Sequence, residues 1–127
     1  MNVRDQRTMA AISRGSREAF VGLFDRTSGP IRAELASCLP GGDHAALVAA
    51  TYVEVWWLAG CHSGPERDAE EWIKRILHRR IAEVERSAKR RSRRPPAASD
   101  PVDRRPSRAE LELAVLLGRP VRRMRPG

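Results

Sequence analysis

Asp68-Ala69-Glu70-Glu71-Trp72-Ile73-Lys74-Arg75-Ile76-Leu77-His78-Arg79-Arg80-Ile81-Ala82-Glu83-Val84-Glu85-Arg86 is the stretch that decides the fold. Ile73, Ile76, Leu77 and Val84 form one apolar stripe at helical spacing, and Lys74, Arg75, Arg79, Arg80 and Arg86 occupy the rest of the surface. Asp68 followed by Glu71 is a capping-box-like opening, and no Gly or Pro interrupts the pattern before Pro95-Pro96. The spacing therefore predicts a helix with one side buried and the other strongly cationic. Such a surface suits a polyanion better than a small substrate, which points to nucleic acid. The basic run that follows, Lys89, Arg90, Arg91, Arg93 and Arg94, suits a loose electrostatic anchor rather than a reader of bases.

Upstream, Met1 to Gly15 predict an arm with one short helical turn around Met9 and Ile12. Ser16 is placed to cap a helix carrying Phe20, Leu23, Phe24, Ile31, Leu35 and Cys38. Gly29-Pro30 interrupts this pattern and predicts two helices, or one with a bend, between Ser16 and Leu39. After Pro40-Gly41-Gly42, Asp43 caps a helix with a broad apolar face of Leu47, Val48, Thr51, Tyr52, Val55 and Leu58, closed by Gly60. Downstream, residues 95–106 are rich in Arg, Pro, Ser, Ala and Asp and read as a linker too polar to order itself. Ser107 with Glu110 opens a short helix through Leu111, Ala114, Val115, Leu116 and Leu117, ended by Gly118 and Pro120. So short a helix is unstable alone, so it docks on this domain, docks on a partner, or stays partly disordered. With no strand pattern and no repeat, the fold class is all-α: a compact helical bundle over 1–94, a linker over 95–106, and a short helix and tail over 107–127.

The 127 residues suffice for one modest core. The net charge of +8 is uneven, because the chain is near balance up to Glu71 and the surplus follows. Arg far outnumbers Lys, and Ala, Gly and Pro are frequent, a GC-rich coding pattern that weakens any argument from Arg count alone. Cys38 and Cys61 do not make a disulfide framework, the charged N-terminus does not read as an export signal, and no apolar run approaches bilayer length. The expected setting is a reducing cytoplasm, away from membranes.

Four pieces, in order, resemble region two of the extracytoplasmic-function class of bacterial RNA polymerase sigma factors. They are Arg14-Gly15-Ser16-Arg17-Glu18-Ala19-Phe20, Leu23-Phe24-Asp25-Arg26, Thr51-Tyr52-Val53-Glu54-Val55-Trp56, and Trp72-Ile73 with Ile76 and the basic tail. The resemblance spans roughly Met9 to Arg94. It implies that the helix from Asp43 to Ala59 docks on the clamp helices of the polymerase's largest subunit, and that the helix from Trp72 meets the promoter's −10 element. The chain departs from the family where acidic residues and a Gln-Glu pair usually stand, with Ala45, Ala46, Ala49 and Ala50 instead. Leu77-His78-Arg79 replaces the usual Ala-Arg-Asn, and the region-four module that reads the −35 element is missing from this sequence.

The expected DNA-contacting set is Trp72, Lys74, Arg75, His78, Arg79, Arg80, Arg86, Lys89, Arg90 and Arg91. Trp72 has two readings, stacking on an unpaired base or packing in the core, and core is the stronger. The loop Cys61 to Arg67 is where the family captures an extruded promoter base; an ordinary connection is the alternative. The expected polymerase or partner set is Asp43, Tyr52, Val53, Glu54, Trp56 and Trp57. Consecutive Trp56 and Trp57 cannot share one helix side, so one packs and the other is exposed, and the Ala-rich patch suits an apolar partner such as an anti-sigma helix. His44, His62, His78, Cys38 and Cys61 show no CxxC or HxxxH spacing, so no metal is expected. Glu70-Glu71, Glu83 and Glu85 read as caps and i,i+4 partners rather than paired acids. No Gly-rich phosphate loop, GxSxG or Cys-His-Asn pattern is present, so no enzyme activity and no cofactor are expected. Function then reads as a truncated sigma factor binding core polymerase and promoter DNA. The alternative is a degenerate paralogue that titrates an anti-sigma factor or remodels a holoenzyme.

Overall fold

A computed structural model describes residues 2–61, 68–92 and 106–119, with side chains of the middle segment described to Arg90. Every regular element in these residues is helical: α1 (Val3–Ser13), α2 (Arg17–Cys38), α3 (His44–Leu58) continued by a 3-10 turn (Ala59–Cys61), α4 (Ala69–Ser92) and α5 (Arg108–Leu117). The linker expectation for 95–106 falls on residues outside the described ones except Pro106, as does the base-capturing role of His62 to Arg67.

The expected N-terminal arm is instead an eleven-residue helix. The Asn2 side chain caps it by accepting the Asp5 N–H at 2.8 Å, and Met9 and Ile12 are buried. What the apolar pattern did not disclose is Asp5, whose carboxylate is 3% exposed. It accepts from the Arg26 guanidinium at 2.9 Å and from the Ala69 N–H at 2.9 Å. An acid in α1 thus satisfies a donor at the N-terminus of α4, where negative charge also meets the positive end of the helix dipole.

α2 is one continuous helix that includes Pro30. Pro in a helix interior costs about 3 kcal/mol. The buried stripe Phe20, Leu23, Phe24, Ile31 and Leu35 runs through both halves, and its burial outweighs that cost. Pro30 itself is exposed. α3 is capped by Asp43, which accepts the Ala46 N–H at 3.1 Å. It buries Val48, Ala49, Thr51, Tyr52 and Val55. Gly60 does not stop the helix by left-handed geometry. It sits in the 3-10 turn, where a Cβ would lie 3.2 Å from the Ser13 Cβ, so its role is to let α1 approach closely.

α4 opens on Asp68, which accepts the Glu71 N–H at 2.8 Å. Ile73, Ile76 and Leu77 are buried as the spacing requires, but the stripe's last buried member is Ile81, with Val84 half-buried. In α5 the Ser107–Glu110 capping box is fully formed, and Gly118 closes the helix in the left-handed conformation at φ 70°. Of the alternatives open to this short helix, docking on the same domain is the one observed. Leu113 and Leu117 join the common core, and α5 lies chiefly against α3 and also against α2. No helix among the described residues is long and apolar enough to cross a membrane.

Candidate nucleic-acid and protein interfaces

The centre of the bundle is aromatic. Tyr52 is fully buried, with Phe24 edge-on at 4.7 Å and its hydroxyl 2.6 Å from that of Thr27. Thr27 also donates to the Leu23 carbonyl at 2.8 Å, so the shared proton between the two hydroxyls comes from Tyr52. Burial raises the Tyr52 pKa, outweighing the Thr27 bond. These facts correct the expected contact role of Tyr52: a ring with no solvent exposure holds α3 to α2 and meets no partner. Of the two readings of Trp72, packing in the core is the one observed, since at 9% exposure it is not available for base stacking.

The remaining expected DNA contacts divide along α4. In its first half, cations are matched with acids. Lys74 Nζ lies 3.5 Å from Glu70 Oε2, His78 Nε2 donates to Glu34 Oε1 at 2.9 Å, and Arg79 and Arg80 both pair with Glu54 of α3. Arg75 is exposed and has an interaction of its own. In the second half the surroundings change. From Glu85 to Arg90 every residue is exposed, including Arg86, Lys89 and Arg90. The side chain of Arg91 lies outside the described residues. The cationic character most open to a polyanion therefore lies beyond the packed part of the helix.

Glu54 joins two residue sets that the sequence separated. Expected as a partner contact, it instead ties α3 to the cations of α4, so the two candidate surfaces share an edge and are not opposed. Further along α3, Trp56 packs edge-on against Phe20 at 5.4 Å and Trp57 is 71% exposed, the division that adjacent positions require. Trp56, Trp57, Glu112, Val115 and Leu116 line an open apolar groove of about 260 Å³ between α3 and α5. Val115 and Leu111 are exposed beside it. Val53 is half-buried and Asp43 is exposed as a cap. Of the α3 alanines, Ala49 is buried and Ala45, Ala46 and Ala50 are half-buried.

Sequence reading missed one cluster. Glu34, Cys38 and His78 each present a ligand atom within 4.8 Å of the others. Cys38 Sγ is 3.6 Å from Glu34 Oε1, the same oxygen that accepts from His78. The His78 hydrogen bond holds the Glu34 carboxyl below its ordinary pKa, while desolvation and the Glu34 charge push the Cys38 thiol up. Two of these residues are four apart on α2, a usable signal, but the third arrives from α4 only through folding. Compared with protein-family models, curated proteins and solved structures, the chain matches none.

Proposed function

We propose that this chain is a sigma-region-two-like module of bacterial transcription initiation, approaching promoter DNA through α4 and a protein through the α3–α5 side. The observation that supports this reading is the second half of α4, a helix whose Arg86, Lys89 and Arg90 are exposed beyond the core. Cations so placed stand outside the packed core, where phosphates can reach them, and their contribution is salt-sensitive and indifferent to sequence. Any base reading falls to the first half, where His78 and Arg79 are exposed. The experiment is size-exclusion chromatography of the chain with core polymerase at low salt. Co-elution is expected, and clean separation overturns the polymerase-binding half of the reading.

A second reading is favoured by a specific observation: α5 packs on α3, the helix expected to dock on polymerase, and Glu54 is engaged internally. Together with the alanines at the polar contact positions, this supports a non-initiating module that binds an anti-sigma helix or alters a holoenzyme. Run-off transcription separates the two. Promoter-specific transcripts with core enzyme and this chain alone favour the initiating form. Their absence, with the chain still co-eluting with polymerase, favours the regulatory one.

A further inference from the structure

We propose that Glu34, Cys38 and His78 form a binding site for a zinc-class divalent transition-metal ion, pinning the C-terminal half of α2 to α4. The donor set is one carboxylate oxygen, one sulfur and one imidazole nitrogen. That mixture suits Zn²⁺ or Co²⁺ and not Mg²⁺ or Ca²⁺, which take oxygen. Bond lengths of about 2.0–2.3 Å at tetrahedral angles place donor atoms roughly 3.3–3.6 Å apart. The observed 2.9 Å between His78 and Glu34, and 3.6 Å between Cys38 and Glu34, bracket that spacing. The remaining pair, within 4.8 Å, closes by small rotations of exposed side chains.

The backbones need not move. Glu34 and Cys38 stand four apart on α2, hence on one face. The neighbours of the ligands in sequence, Leu35 and Leu77, are fully buried and fix the two helices against each other. Cys38 and His78 are exposed, so an ion enters from solvent. On binding, the Cys38 thiol releases its proton to solvent and binds as thiolate, His78 gives up its Nε2 proton to solvent and binds through Nε2 as the neutral ring with its proton on Nδ1, and Glu34 contributes an oxygen. Water takes the fourth position. Glu85, seven residues beyond His78 on α4, adds negative charge near Cys38, and Lys74 lies near Glu34. An ion on His78 withdraws that side chain from the DNA-facing set of α4 and leaves Arg79 there, and the test of the site needs no DNA.

The test is a Co²⁺ titration of the full chain, metal-free and reduced, followed by Zn²⁺ displacement. The wild type and Cys61→Ser are expected to show thiolate-to-cobalt charge transfer in the near ultraviolet and the visible bands of tetrahedral cobalt. Cys38→Ser should lose the charge-transfer band, and Glu34→Gln and His78→Ala should weaken binding by about tenfold or more. Zn²⁺ at a hundredfold excess over its Kd should raise the wild-type Tm by about 5–10 °C. Absence of the charge-transfer band in the wild type overturns the proposal. So does a band that survives in Cys38→Ser or vanishes in Cys61→Ser, which places the metal elsewhere. Circular dichroism establishes that each variant is folded, and should Cys38→Ser unfold, the affinity of His78→Ala decides.

Discussion

Asp5 and Tyr52 carry stability out of proportion to their number because each satisfies polar groups at a junction of helices. Asp5 accepts from Arg26, from the first N–H of α4 and from Asn2. Burial pushes its carboxyl up, but the hydrogen bonds and the Arg26 charge outweigh burial and leave the pKa below the ordinary 3.8. A depressed carboxyl stabilises the fold above its unfolded pKa and loses that contribution as pH falls through the folded value. Asp5→Asn should therefore cost about 2 kcal/mol at neutral pH. The gap between it and the wild type should shrink as pH falls below the ordinary 3.8 and through the lower folded value, as urea denaturation at neutral and at acidic pH will show. Tyr52→Phe removes the hydroxyl pair with Thr27 and leaves the ring packing in place. A loss of about 1 kcal/mol is expected, read from the shift of the denaturation midpoint.

At the scale of the element, α2 carries a removable weakness and α4 a reserve of masked charge. Gly22 is exposed within a helix, and a Cβ there meets nothing within 4 Å. Gly22→Ala should raise stability by about 0.5–1 kcal/mol in the same denaturation assay. On α4, Glu54 engages Arg79 and Arg80. Glu54→Gln frees both for phosphates, so affinity for duplex DNA should rise and the plot of log K against log salt should steepen by up to about 1.8. An unchanged slope would remove Arg79 and Arg80 from the interface. Replacing Arg86, Lys89 and Arg90 together with Ala should flatten the same plot by about 2–3.

At the scale of the whole molecule, α5 is a part of the core and not an appendage. Leu113 is fully buried against the rest of the bundle, and Arg119 pairs with Asp25 and sits 5.7 Å from the Phe24 ring. Leu113→Ala should lower the stability of the entire domain by about 3 kcal/mol in one cooperative transition. A separate early transition for α5 would contradict its place in the core. The groove beside Trp57 exists only because α5 lies there, so a partner that reads this groove reads two segments distant in sequence.

The helices were legible in the sequence because their causes are local. Apolar spacing marked α2, α3 and α4, and Ser16, Asp43, Asp68 and Ser107 cap where their side chains reach the next free N–H. The division of Trp56 from Trp57 follows from helical geometry alone. α1 was underestimated because its anchor is a charged residue whose partners lie at Arg26 and Ala69, and no periodicity reports such a bond. Local reading left open whether Pro30 divides α2 or lies within one helix, and tertiary burial on both sides, which outweighs the missing hydrogen bond, decided for one helix. For the candidate site, sequence determined the supply of charge and its position on one helix. Tertiary structure alone decided which cations meet acids, that Tyr52 is fully enclosed, and that Glu34, Cys38 and His78 converge. The physical reason is range: propensity, capping and spacing act within a few residues, whereas ion pairing, burial and metal-ligand geometry depend on which helices the core brings side by side.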